Sequence, residues 1–291
     1  MTQAVSVLAR YGRSFRLAGR LLPGDTLARA AELYAFCRAI DDLADEATDK
    51  QSARRALVDV RRAVLCGDDS HAVARRFLAL QRSHGVDRAA AVTLIDTVMT
   101  DLDPVRLADE AALLGYAYGV AGTVGLMMCA VLDARDATAA APAIDLGIAM
   151  QLTNIARDVV EDAARGRIYL PATWLPPQTI PHDITADPVA VFAAVEKLLR
   201  CADNRYRSAE SGIALLPPRV RPAIRAAAWL YEEIGLRIRA QGPRYLRAGR
   251  CVVPMPRRLW LVGRSLVGDS RRPTLHAPRL DQMAPSSGTG A

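Results

Sequence analysis

Two short stretches hold the residues best suited to chemistry. In Gln151-Leu152-Thr153-Asn154-Ile155-Ala156-Arg157-Asp158-Val159-Val160-Glu161-Asp162, a helical step of about 100° per residue brings Gln151, Asn154, Asp158 and Asp162 within roughly 80° of one another, beside Ile148, Ile155 and Val159. Amides and carboxylates thus form a polar column in an apolar wall, where a solvated helix face would carry mostly Lys, Glu and Arg. Upstream, in Tyr34-Ala35-Phe36-Cys37-Arg38-Ala39-Ile40-Asp41-Asp42-Leu43-Ala44-Asp45-Glu46, Tyr34, Arg38, Asp41 and Asp45 fall within roughly 60° by the same step. Each column carries two carboxylates one turn apart, Asp41 with Asp45 and Asp158 with Asp162.

Four carboxylates turned into one apolar cavity repel one another and resist desolvation, so cations must neutralise them. Mg²⁺ prefers such oxygens and completes its shell with water or phosphate. The two columns therefore read as a divalent-metal clamp on a diphosphate, with Arg38 and Arg157 taking phosphate oxygens that the metal leaves free. An acidic i, i+4 pair alone is common on a solvated helix, and Asp41-Asp42-Asp45-Glu46 by itself would be read that way. Finding a second column inside an apolar helix, where buried polar atoms need partners, favours the metal site. Tyr116 and Tyr231 taken singly read as core packing with satisfied hydroxyls. The four histidines are isolated, without metal-ligand spacing.

The elements that must position these columns are helical. Strand alternation and Asn-Gly hairpins are nearly absent, and long Ala/Leu/Arg-rich runs carry helical spacing, so the chain is expected to be all-α. Helices are predicted over about Thr26 to Ala47, Ser52 to Leu65, His71 to Gly85 and Asp87 to Asp101. Asp103-Pro104 is expected to cap the next helix, with Pro at its first position. Ala111 to Leu132 is then a charge-free run of membrane-spanning length. Its four glycines and lack of basic anchors favour a helix buried all round in a bundle. The helix of the second column ends at Gly166, and four prolines make Pro171 to Asp187 irregular. Asp187-Pro188 caps a helix to about Ile213, Pro222 to about Ala240 is the next, and the last lies near Pro256 to Val267. No linker or repeat divides the chain, so one domain is expected over residues 1–270, followed by a Pro/Ser/Gly/Arg-rich tail, 271–291, expected to be disordered.

Hydrophobic content of 51% with 24% charged residues indicates a soluble globular chain. Arg10, Arg13 and Arg16 interrupt the start, which lacks a signal-peptide core, and five scattered cysteines suggest reduced thiols, so a cytoplasmic setting is expected. A net charge of +7 would suit nucleic acid, an anionic membrane or a polyanionic small substrate. A non-catalytic basic adaptor would account for the charge but not for the acidic columns, so no nucleic-acid partner is expected.

Across these residues the chain resembles the squalene and phytoene synthase family, head-to-head prenyltransferases of the class I isoprenoid synthase fold. The resemblance spans Tyr11 to about Val267. It rests on Gly12-Arg-Ser14-Phe15, Tyr34 to Asp45, Tyr116-Ala-Tyr-Gly-Val-Ala-Gly-Thr-Val-Gly125, Gln151 to Asp162 and Gly166-Arg-Ile-Tyr-Leu-Pro171. Val124-Gly-Leu-Met-Met128, Tyr169-Leu-Pro171 and Trp229-Leu-Tyr231 through Arg250 are most like the bacterial phytoene synthase branch.

The resemblance implies a helical bundle whose central cavity takes two molecules of geranylgeranyl diphosphate. Asp41, Asp45, Asn154, Asp158 and Asp162 would hold Mg²⁺, with Mn²⁺ as an alternative. Tyr34, Arg38, Tyr116, Gln151, Arg157, Tyr231 and Arg250 would contact substrate or diphosphate, and Ser14 would close over a phosphate. Tyr11 departs from the His that some relatives carry there, so no phosphate role is assigned to it. The implied reaction is 1-1′ condensation through a cyclopropyl diphosphate to phytoene, in carotenoid biosynthesis, with diphosphate released and no NADPH. The alternative is a squalene, dehydrosqualene or presqualene diphosphate synthase using farnesyl diphosphate; a terpene cyclase fits the duplicated columns less well. The glycines from Gly115 to Gly125 would thin one helix to admit long chains. Peripheral membrane contact is expected through Arg244, Arg247, Arg250, Arg257 and Arg258.

Overall fold

A computed structural model of the chain describes residues 17–45, 49–134 and 136–267. Ser14 with its neighbours Gly12 to Phe15, Tyr11, and the tail 271–291 lie outside the described residues.

Ten α-helices carry the fold among the described residues: α1 Gly24–Asp45, α2 Lys50–Cys66, α3 Ala72–His84, α4 Arg88–Thr100, α5 Glu110–Ala117, α6 Thr123–Val131, α7 Ala140–Ala164, α8 Pro188–Ile213, α9 Arg221–Gln241 and α10 Met255–Ser265. The all-α expectation holds. The exception is a pair of two-residue strands, β1 Val105–Arg106 and β2 Arg167–Ile168, paired in parallel.

Local signals set most helix ends. Asp49 accepts hydrogen bonds from the backbone N–H groups of Gln51 and Ser52 at the start of α2, and Asp187 accepts from Ala190 at the start of α8. The cap expected at Asp103-Pro104 is not formed. Those residues lead into β1, and Asp109 caps α5 instead, accepting from the Ala112 N–H. An Asp-Pro pair suits a strand entry as well as a helix start, and only the pairing of Val105 with Arg167 decides between them.

Two hydrophobic clusters divide the bundle. Leu33, Phe36 and Ile40 of α1 pack with Leu57, Phe77, Leu94, Ile95 and Met127 in one. Leu152, Ile155 and Ala156 of α7 pack with Leu113, Leu198, Leu199 and Ile238 in the other. The first column therefore rides on one cluster and the second on the other.

The apolar run Ala111 to Leu132 bridges them. It is α5 and α6 joined by a π-helical turn, Tyr118–Gly122, that packs on both α4 and α7. It is not buried all round: one third of its most apolar window is fully buried, and Val120, Ala121, Val124 and Met128 face an internal cavity. Its uniform apolarity reflects three neighbours, two helices and an apolar void.

Of its glycines, Gly125 lines the cavity, and Gly119 and Gly125 also stand close to neighbouring elements. A Cβ on Gly119 would stand 2.1 Å from the Thr97 hydroxyl, and one on Gly125 2.1 Å from the Ala143 carbonyl oxygen. From the other side, a Cβ on Gly147 of α7 would lie 2.1 Å from the Ala121 carbonyl. Gly125 and Gly147 let α6, the π turn and α7 approach backbone to backbone, while Gly119 makes room for the Thr97 side chain of α4, and these approaches shape the cavity.

Candidate functional site

The cavity, of about 330 Å³, is bounded by α1, α6, α7, α8, α9 and the segment from Ala18 to Leu22. Its walls are almost wholly carbon. In α1, α7 and α9 alike, the polar liners come last in chain order: Tyr34 and Asp41, Gln151 and Asn154, and Tyr231. Apolar liners come first, and among them Leu22, Leu132, Leu216 and Ile224 pack with one another. The void therefore has one polar end and one apolar end, as expected for a site that binds a charged head with a long hydrocarbon tail.

Of the predicted metal ligands, Asp41 and Asn154 line the cavity and Asp45, Asp158 and Asp162 do not; further carboxylates crowd Asp41 from behind the wall. Burial, opposed by Arg38 and reinforced by Asp45, Asp101 and Asp42, pushes Asp41 up to about 7. Burial and the Asp158 charge, against Arg167 and Arg165, push Asp162 up to about 7 as well. The mutual repulsion inferred from the spacing is thus present in the fold.

Arginines neutralise the rest. Asp158 is held from two sides: Arg157 Nε donates to its Oδ1 at 2.7 Å, and Arg250 donates from Nε and Nη2 to its two oxygens at 3.0 and 3.1 Å. Arg38 pairs with Asp42, leaving Asp41 to face the cavity. Arg167 Nη1 bonds Asp45 Oδ1 at 2.6 Å, with Arg165 at 3.4 Å from the other oxygen. At Asp158 the backbone leaves helical geometry (φ −106°, ψ 16°), so α7 bends at this residue. The regular wheel used to place Asp162 relative to Asp158 is therefore only approximate.

Sequence reasoning missed Asp101. This residue follows α4, and its carboxylate accepts the hydroxyls of Tyr116 at 2.8 Å and Tyr169 at 2.9 Å. Its backbone carbonyl accepts from Arg167 Nε at 3.1 Å. Its charge also reaches Asp41 and Asp162, which makes it a fifth carboxylate of the site. Tyr116 stacks on Tyr169 with centroids 4.6 Å apart. Spent on Asp101, Tyr116 is not among the residues lining the cavity. The motif Gly166 to Pro171 contained Arg167 and Tyr169, but nothing local to Asp101 distinguished it from a helix cap.

The donor set suits a hard divalent cation. Asn154 Nδ2 donates to Gln151, while its buried Oδ1 accepts no hydrogen bond. A carbonyl oxygen without a hydrogen bond, lining the same cavity as Asp41 with its raised pKa, suits a hard cation. Among the described residues no three His, Cys, Asp or Glu form a ready cage. A cation held here would take its remaining ligands from water or substrate.

Of the five arginines expected to face lipid, Arg250 and Arg257 are engaged by carboxylates of the protein. Arg250 is on Asp158, and Arg257 Nη2 is 2.9 Å from the buried Glu233 and lies over the Trp260 ring. The sequence pattern could not show this, because their acidic partners are distant in the chain. All five cysteines are unpaired.

A helical bundle around an apolar cavity with paired aspartates and arginines at one end defines the class: a prenyltransferase-type enzyme with the all-α isoprenoid synthase fold. Residues 8–257 match the model of the squalene/phytoene synthase family, and the chain belongs to that family. It is 39% identical to a phytoene synthase of Cereibacter sphaeroides over 244 residues, covering 79% of this chain and 69% of the relative. It is 36% identical to a 15-cis-phytoene synthase of a Paracoccus species over 256 residues, covering 84% of each. Among solved structures, a dehydrosqualene synthase superposes with a TM-score of 0.75 at 27% identity, covering 91% of this chain and 94% of that one.

Proposed function

We propose that the protein joins two molecules of geranylgeranyl diphosphate head to head, through a cyclopropyl diphosphate, to phytoene for carotenoid biosynthesis. The observation that carries this reading is one cavity with a carbon-lined end and, at the other, Asp41 and Asn154 delivered from opposite halves of the bundle. Phytoene synthase relatives at 36–39% identity support the choice of product.

Mg²⁺ bound to Asp41, Asp45, Asn154, Asp158 and Asp162 would supply charge that makes diphosphate a better leaving group. Arg38, Arg157 and Arg250 bind the diphosphate oxygens; Arg157 and Arg250 turn to them from Asp158. Tyr34 and Tyr231 border the reacting carbons. Burial raises Tyr34 to about 12 and also raises Tyr231, so both remain neutral hydroxyls near pH 7. The apolar walls exclude water from the allylic cation that follows ionisation. Gln151 orients Asn154 through their side-chain hydrogen bond.

The route to phytoene consumes no reductant, so NADPH is not required, and nucleic acid has no role. A hydrocarbon product partitions into a bilayer, so the protein works in the cytoplasm in peripheral contact with a membrane. The purified protein, Mg²⁺ and each radiolabelled substrate test the reading together. A C40 hydrocarbon from geranylgeranyl diphosphate without NADPH is expected. A C30 product from farnesyl diphosphate, with no C40 product, would refute it.

A further inference from the structure

Helix α10 carries its apolar face outward. By the helical step of about 100°, Met255, Pro256, Leu259, Trp260, Gly263 and the following Leu266 share an arc of roughly 140° with no charged residue. Met255, Leu259, Trp260 and Leu266 are each at least 46% exposed, and Val252 and Val267 flank the helix, also exposed. The opposite face already has its core partners: Leu261 packs against Ala226, Ala227, Trp229 and Leu230 of α9. An amphipathic helix normally hides its carbon, and here a second uncharged face is left in solvent.

The surrounding charge selects the partner. From Ile234 to Gly268 the chain has eight arginines and no acidic residue. Although Arg239, Arg250 and Arg257 are paired internally with Asp203, Asp158 and Glu233, no carboxylate of this segment opposes an anionic surface. A second copy docking through the same face would bring two such arginine-rich segments together, whereas an anionic bilayer meets them with complementary charge. Position agrees. α9 carries α10 on one side, while its Ala223, Ile224 and Tyr231 line the substrate cavity on the other, with Ala227 between the two.

We infer that the outward face of α10, centred on Leu259, Trp260 and Leu266, inserts into the interface of an anionic lipid bilayer. It thereby sets the cavity one helix layer from the membrane that receives the product. This inference rests on the membrane contact proposed above and names the surface that makes it. It also shifts the basis of that contact from arginines alone to an apolar face with an arginine surround.

The test compares wild type with the double variant Leu259→Glu/Leu266→Glu in co-sedimentation with phosphatidylcholine/phosphatidylglycerol vesicles. Wild type is expected to bind at least tenfold more tightly. Its fluorescence should shift to the blue on binding, and Trp260→Phe should lose that shift. Turnover of detergent-dispersed substrate by the double variant should match wild type, showing that it is folded. Equal vesicle binding by both proteins would overturn the surface while leaving the membrane contact standing; wild type that binds no vesicle, even at low salt, would overturn the contact itself. Sedimentation velocity completes the test, since a wild-type dimer that the double variant breaks would assign the face to a second copy and overturn the inference.

Discussion

Replacing Asp41 by Asn should stabilise the cation-free protein at pH 8 while removing its activity. The folded chain holds Asp41 at about 7, against about 4 for an aspartate in an unfolded chain. Between those values the native state keeps a proton that the unfolded state has lost. Stability therefore falls as pH rises through this window, and the full penalty is present above pH 7. A displacement of roughly three pH units at about 1.4 kcal/mol each sets an upper limit of about 4 kcal/mol. Relaxation of neighbours and residual hydration at the cavity wall bring the expectation to about 2 kcal/mol. The assay is denaturant unfolding in EDTA from pH 4 to 8.5 for both proteins. Their stabilities should converge towards pH 4 and separate towards pH 8, with Asp41→Asn the more stable. Added Mg²⁺ should raise the wild-type melting temperature more at pH 8 than at pH 5.5, and should raise that of Asp41→Asn less. Parallel pH curves would show that Asp41 is not crowded by carboxylates, and the argument for a cation at this end of the cavity would fall with them.

Other perturbations address other parts of the site. Asp101→Leu leaves the Tyr116 and Tyr169 hydroxyls without their acceptor; a loss of about 1–3 kcal/mol per buried hydroxyl is expected in urea unfolding. Arg250→Ala removes one of the two clamps on Asp158 from an exposed position. KM for the diphosphate should rise about tenfold, with melting within a degree or two of wild type. Gly147→Val would drive carbon into the Ala121 carbonyl, and a cost of about 3 kcal/mol or more, or failure to fold, should appear in circular dichroism. Asn154→Leu should weaken Mg²⁺ binding measured by calorimetry while lowering cation-free stability by no more than about 1 kcal/mol, because the bond it loses is the 3.3 Å one from Nδ2 to Gln151 and the replaced Oδ1 has none.

Much of the site is legible before folding because its signals are periodic. Asp41 with Asp45 and Asp158 with Asp162 announce themselves by one-turn spacing, and Gln151 and Asn154 by their place in an apolar helix. Asp101 carries no such signal. It serves two tyrosines, one fifteen and the other sixty-eight residues away, and no local window contains all three. The crossing of Arg167 to Asp45 is equally silent, since it depends on a neighbour brought by another element, and no Pro or Gly marks the bend at Asp158.

The sequence by itself determined the helices, the cap at Asp187 and the two acidic columns, because hydrogen bonding along a helix and the facing of residues i and i+4 are settled within a few residues. Only the tertiary structure decided which carboxylates meet arginine and which face the cavity. It decided too that Gly125 and Gly147 serve helix contact, and that one face of α10 is exposed among the described residues. Burial and electrostatic pairing depend on what lies across a gap from a residue, and that is a property of packing rather than of chain order.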